Sequence, residues 1–186
     1  MAYTYNKITP EIAEKMKAVV GAERFFAGEA INADYSHDEM PIYGKFFPEV
    51  VCEVESTEEV SKLMKICSEH RIPVTPRGAG TGLVGGCVPL IEGLIICTKR
   101  MNKILKYDMK NLVVHIQPGV LLQDLAADAL EHGLMYPPDP GEKTATVGGN
   151  VSTNAGGMRA VKYVFAFTGT VTSSTNYLTE PAFRTG

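Results

Sequence analysis

Pro76-Arg77-Gly78-Ala79-Gly80-Thr81-Gly82-Leu83-Val84-Gly85-Gly86 leaves the apolar run Ile72-Pro73-Val74-Thr75, and its reading decides how the rest of the chain is understood. Glycine has no side chain, so consecutive backbone amides in such a turn can close around an anion as a nest. Arg77 adds a permanent positive charge beside the turn. A pyrophosphate is the natural guest of Arg77, Gly78, Ala79, Gly80, Thr81 and Gly82. Glycine clusters also serve as tight turns between strands, so this loop alone leaves both readings open.

A dinucleotide-binding misreading has to be weighed. Gly80-Thr81-Gly82-Leu83-Val84-Gly85 satisfies G-x-G-x-x-G and follows a predicted strand. That fingerprint must open a helix whose N-terminus faces the pyrophosphate. The residues available are Gly85-Gly86-Cys87-Val88-Pro89. Each glycine costs about 1 kcal/mol in a helix and an interior proline about 3, so a nicotinamide-binding domain is a remote alternative.

Upstream, Thr9-Pro10-Glu11 reads as N-cap, first-turn proline and acidic first turn of a helix, with Ile12, Met16 and Val19 on one face and Gly21 as its stop. A polar, aromatic-rich stretch, Asp34 to Pro48, has no clear period and reads as a surface arm. His37 within it reads as solvated. Val50 to Val54 is a β-rich run. Ser56 and Glu59 form a capping box, and Val60, Leu63, Met64 and Cys67 follow at helical spacing. Ile72 to Thr75 closes a strand-helix-strand unit, so the expected class is α+β with at least one parallel pair.

Downstream, Leu94 to Thr98 reads as a buried strand. Ile104 to Asp108 and Leu112 to Ile116 read as hairpin partners across Met109-Lys110-Asn111. A helix from Leu121 to His132 follows, with Leu121, Leu125 and Ala129 on one face and Gly133 at its end. After Tyr136-Pro137-Pro138 comes a second loop, rich in glycine, hydroxyls and amides, from Thr144 to Gly157. Such a surface can lie flat against a planar ring and bond its polar edge. Tyr136 reads as a core aromatic.

Composition excludes whole classes. A net charge of -3 over 186 residues argues against a nucleic-acid partner. No apolar run approaches the length of a membrane span, and the start lacks the pattern of a signal peptide, so a cytoplasmic protein is expected. Cys52, Cys67, Cys87 and Cys97 are widely spaced in apolar company and read as reduced thiols, not metal ligands. No metal site is expected.

The order of the motifs is more specific than any one of them. Pro76 to Gly82, Gly85-Gly86, Pro118-Gly119-Val120, Pro138-Asp139-Pro140-Gly141, Thr146-Val147-Gly148-Gly149-Asn150 and Asn154-Ala155-Gly156-Gly157 occur in one flavoprotein sequence order. Over roughly Ile8 to Tyr163 the chain resembles the vanillyl-alcohol-oxidase (PCMH-type) FAD-binding family, in its glycolate oxidase D subunit and D-lactate dehydrogenase branch. The resemblance implies an FAD domain of two α+β subdomains with the cofactor between them. It implies that Arg77 to Gly82 bind the FAD pyrophosphate and that Gly85 and Gly86 extend the loop. Pro140, Gly141, Thr146, Gly148, Gly149 and Asn154 would line a second wall. Family members with covalent flavin often carry a histidine after the paired glycines. Thr81 follows Gly80 here, so FAD is expected to be held non-covalently.

The implied activity is oxidation of a 2-hydroxy acid, glycolate or D-lactate, with electrons passed to an electron-transfer flavoprotein or an iron–sulfur subunit. A flavin reductase of cell-wall precursor synthesis shares the fold but differs in its loops. After Val161-Lys162-Tyr163 the pattern changes to Val164-Phe165-Ala166-Phe167-Thr168-Gly169-Thr170. The expected division is therefore residues 1–48 as helix and arm, 49–163 as a partial FAD-binding domain, and 164–186 as a divergent tail, a frameshift or artificial ending. In relatives the catalytic and metal-binding groups lie in a substrate cap, so no catalytic residue is expected here. A non-catalytic, truncated FAD-binding fragment is the leading alternative, with its core strands from Leu94 to Ile116 left with an uncovered edge or face.

Overall fold

Thr9 opens the first helix as its sequence requires: the hydroxyl accepts from the Ile12 amide at 3.3 Å, and α1 runs Pro10–Val20 to a left-handed Gly21 at φ +86°. The buried face is Ile12, Met16 and Val20, an i, i+4, i+8 ladder, whereas Val19 is only half-buried. The computed structural model describes residues 4–138 and 140–158, together with the backbone of 175–177. The chain divides into two compact units, residues 1–100 and 101–186. Asp139 and most of the expected tail lie outside the described residues.

In the first unit β1 (Phe25–Ala27) pairs antiparallel with β2 (Val50–Glu53), and β2 and β3 (Val74–Arg77) flank β4 (Leu94–Cys97) in parallel. The order β1-β2-β4-β3 places β4 inside the sheet, and all four of its residues are buried. A continuous apolar run is what a parallel strand covered on both sides needs. α1 packs against β2 and against α2 (Thr57–His70). The Ser56 hydroxyl caps α2 by accepting from the Glu59 amide at 3.2 Å. Leu63 and Cys67 are its buried positions, while Val60 is half-buried and Met64 exposed, so the core face is narrower than the spacing predicts.

On the opposite sheet face Phe26 of β1, Ile31 and, from the stretch expected to be a surface arm, Tyr35 pack onto Val51, Ile95 and Cys97. Burial pushes the Cys52 thiol up to about 12 and the Cys67 thiol up to about 11, so both are protonated at neutral pH.

In the second unit β5 (Ile104–Asp108) and β6 (Val113–Ile116) form the expected hairpin, with a left-handed Leu112 at φ +53° closing the turn. β7 (Thr175–Tyr177) pairs antiparallel with β6, so this part of the expected patternless tail carries a strand. α3 (Leu122–Glu131) buries Leu122, Leu125 and Ala129; Leu121 is its N-cap and makes an isolated bridge to Thr146 instead. Val114, Ile116, Val120, Leu134, Tyr136 and Val147 complete that core. Because β4 and β6 each have a strand on both sides, the predicted uncovered edge between Leu94 and Ile116 is confined to β5.

A half-buried ion pair ties α2 to the turn that follows α1. Both guanidinium nitrogens of Arg24 meet the Glu59 carboxylate at 2.8 Å, and the Glu55 amide donates to it as well, also at 2.8 Å. Burial opposes ionisation of Glu59, but the guanidinium and the amide together hold its carboxyl below the usual range. Such a group contributes stability above the ordinary carboxylate pKa and loses it as pH falls through the depressed value. Glu59→Gln should therefore unfold at lower urea than the unaltered chain at neutral pH, and the gap should close on acidification. Parallel midpoints at every pH would refute this account.

Candidate cofactor site

β3 ends at Arg77, whose carbonyl still accepts from the Thr98 amide at 2.9 Å. The chain then leaves the sheet, and the turns at Gly80 and Gly85 have φ of +83° and +71°, conformations that glycine alone adopts without strain. The amides of Ala79, Gly80, Thr81 and Gly82 meet no acceptor among the described residues, although all four residues are half-buried. Consecutive amides not engaged by the protein form a row of donors suited to an anion such as a pyrophosphate. No helix follows the loop through Pro89, which the dinucleotide fingerprint would require.

Arg77 is placed differently from the simple picture of a charge facing the guest. It is 6% exposed, and its guanidinium donates to the Asp34 carbonyl at 2.7 Å and the His37 carbonyl at 2.8 Å. It also reaches the Cys87 sulfur at 3.4 Å and lies over the Tyr35 ring, 5.5 Å from the centroid. A Cβ on Gly80 would land on that guanidinium. The glycine is thus demanded by Arg77 as well as by its backbone angle. Gly82 and Gly86 are different: a Cβ would have its nearest neighbour at 3.8 Å (Asp38 Oδ2) and 3.9 Å (Val84 Cγ2), with no positive φ. Gly78 continues directly from β3 and is half-buried.

The second loop contains a helix that its glycines conceal. α4 (Val147–Ser152) is capped by Thr146, whose hydroxyl accepts from the Gly149 amide at 3.3 Å. A Cβ on Gly148 would sit 2.8 Å from the Pro118 carbonyl, to which the Gly148 amide donates at the same distance. Gly148 is thereby held against Pro118, with Thr146 and Gly149 beside it in the first turn of α4. Pro140 is buried and Gly141 exposed, and Asn154 is an exposed left-handed residue at φ +50° beyond the end of α4. No hydrogen bond links Pro140 or Gly141 to Asn154 among the described residues.

Two residues here were not singled out by sequence reasoning as binding groups. The amide nitrogen of the Asn150 side chain and the Tyr136 hydroxyl are buried without a partner among the described residues. Burial alone pushes the phenol up to about 12, so it remains a hydrogen-bond donor at neutral pH. Unpaired buried donors are costly and rare, and they suit a ligand carrying polar acceptors. In the first unit the missed residue is Asp38, 4% exposed, whose carboxylate accepts from the Gly85 amide at 2.7 Å and the Met40 amide at 3.0 Å. Only pairing across 47 positions reveals it, and no local period does.

Comparison with known proteins agrees with this geometry. A family model described as an FAD binding domain matches residues 48–173. The chain is 62% identical over 161 residues to a D-lactate dehydrogenase of Anaerostipes hadrus, covering 87% of this chain and 34% of that protein. It is 43% identical over 157 residues to the glycolate oxidase subunit GlcD of Bacillus subtilis (strain 168), covering 84% and 33%. Among solved structures, alkyldihydroxyacetonephosphate synthase superposes with a TM-score of 0.77 at 21% identity, over 89% of this chain and 34% of that one. p-Cresol methylhydroxylase superposes with a TM-score of 0.71 at 23% identity, over 83% and 32%. At such identities the two structures speak for the fold alone.

The open glycines offer a direct test of whether ligand approaches the first loop. Gly82→Ala should leave the unfolding free energy within about 0.5 kcal/mol of the unaltered chain, yet weaken FAD binding followed by flavin fluorescence. Gly80→Ala should instead lower stability, because its Cβ meets Arg77. Unchanged FAD affinity in Gly82→Ala would place the ligand elsewhere.

The chain spans about a third of the length of the curated relatives it matches, and it belongs to the FAD binding domain family, in the fold of the p-cresol methylhydroxylase type.

Proposed function

We propose that this chain is the FAD-holding part of an oxidoreductase that converts a 2-hydroxy acid, D-lactate or glycolate, to the corresponding 2-oxo acid. The observation that carries this reading is the 62% identity to a D-lactate dehydrogenase, maintained over 161 residues. FAD, when bound, supplies the two-electron acceptor. The residues of the chain bind and orient it. The free amides from Ala79 to Gly82 are proposed to receive the pyrophosphate, with Gly78, Gly85 and Gly86 giving the backbone its access and Arg77 holding the loop's shape. Pro140, Gly141, Thr146, Gly148, Gly149 and Asn154 are proposed to line the second wall, and the orphaned Asn150 amide and Tyr136 hydroxyl to meet polar edges of the ligand.

Thr81 at the position after Gly80 supports non-covalent attachment. No residue of this chain is proposed as catalytic: hydride abstraction needs a base within hydrogen-bond reach of the substrate hydroxyl and a cation for its carboxylate. Electron delivery to a protein partner, an electron-transfer flavoprotein or an iron–sulfur subunit, belongs to the same proposal and concerns the longer protein.

Acid precipitation of the chain after loading with FAD should leave a colourless pellet and free flavin in solution; a yellow pellet would overturn non-covalent binding. In an anaerobic assay with D-lactate and an artificial dye, the 186-residue chain should give no substrate-dependent reduction. The same chain continued with the remaining part of a relative should reduce the dye. Activity in the short chain, lost in Gly82→Ala, would show that the catalytic groups lie within it.

A further inference from the structure

A carboxylate buried beside an anion-binding loop has the wrong sign for its surroundings, and Asp38 is such a group. Its Oδ2 accepts from the Gly85 amide at 2.7 Å and its Oδ1 from the Met40 amide at 3.0 Å. The next residue, Glu39, donates its own amide to the Gly82 carbonyl at 3.1 Å. Two consecutive residues thereby stitch both ends of the Gly82–Gly85 turn. The preceding residues are fastened to the start of the loop, through the Arg77 guanidinium on the Asp34 and His37 carbonyls. Tyr43 adds an apolar contact, since a Cβ on Gly85 would lie 3.2 Å from its ring.

The groups that meet the loop, from Asp34, His37, Asp38, Glu39 and Tyr43, all precede residue 48, where the match to the family begins. Their placement also sorts the loop's amides. Asp38 occupies the amide of Gly85, at one end, and leaves those of Ala79 to Gly82 unengaged at the other. The Arg77 charge, with no carboxylate in direct contact among the described residues, lies at that free end.

We propose that Asp38 is a positioning residue for the cofactor: it clamps the Gly82–Gly85 turn to segment 34–43, so that the anion is received by the Ala79–Gly82 amides. The proposal rests on the reading of this loop as the FAD pyrophosphate site. A carboxylate can serve both amides at once, one through each oxygen. Asparagine keeps one acceptor and turns a donor toward the other amide, so the clamp opens without a large change in volume.

The experiment measures FAD and ADP affinity of the chain by calorimetry, well below each variant's melting midpoint. ADP carries the pyrophosphate without the flavin. Asp38→Asn should bind both about tenfold more weakly, the size expected for loss of one charge-assisted hydrogen bond. Glu59→Gln, in the same unit and bonded to no residue of the loop, should bind as the unaltered chain does despite its lower stability. A residue that merely supported the fold would move the midpoint in both variants and affinity in neither. Should Asp38→Asn fail to fold, Tyr43→Ala loosens the same turn from the surface and should weaken ADP binding in the same direction.

Unchanged affinity in folded Asp38→Asn, or in Tyr43→Ala where that variant stands in, overturns the clamp if Gly82→Ala still weakens binding. Unchanged affinity in Gly82→Ala as well removes the phosphate reading of the loop. Failure of the unaltered chain to bind either ligand removes both.

Discussion

The guanidinium of Arg77 has to be buried where β3 gives way to the glycine loop, and a buried guanidinium needs acceptors. The two carbonyls that meet it, from Asp34 and His37, lie more than 35 residues earlier and outside any regular strand. Much of the first unit is arranged around supplying them. Residues 31–37 must cross the sheet face at a fixed height, which seats Tyr35 between the Arg77 cation and the Glu53 carboxylate, to which its hydroxyl donates at 2.9 Å. Glu53 in turn accepts from Arg100 at 2.5 Å. A run that carries no periodic signal is thereby fixed by partners distant in sequence.

The second unit meets a comparable demand with packing instead of charge. Gly148 lies so close to Pro118 that any side chain would strike the backbone there, and its amide donates across the same gap. Two consecutive glycines are poor helix formers, yet α4 closes over them because Thr146 caps it and Val147 is anchored in the core, 1% exposed. Tertiary contact outweighs local preference over these six residues.

Periodic elements were legible and contact-defined ones were not. The cap at Thr9, the capping hydroxyl of Ser56, the hairpin from Ile104 to Ile116 and the buried strand from Leu94 could all be read from local chemistry. The errors came where a neighbour distant in sequence decides. Val20 takes the place of Val19 because i, i+4 spacing continues the buried ladder of Ile12 and Met16, and Leu122 takes that of Leu121 because Leu121 is the extended N-cap and not yet helical. α4 was hidden by glycines that answer to Pro118. Asp38 was hidden because acidic residues in polar stretches are usually solvated, and its partners lie in another segment. The glycine loops themselves were plain in the sequence. What they lacked there was their division into glycines that serve the protein, Gly80 and Gly148, and glycines that leave room, Gly82 and Gly86.

Pro76 lies on β3, an outer strand of the first unit's sheet. The Pro73 and Arg77 carbonyls are bonded toward β4, and alternation along the strand turns Pro76 away from it. A proline has no amide, so the outward ladder at this margin lacks a donor in the middle of a strand only four residues long. The opposite margin, β1, is shorter still, at three residues. The missing donor at one rim and the shortness of the other make both poor templates on which another polypeptide could continue the sheet, and recruitment of this unit into cross-β polymers is disfavoured.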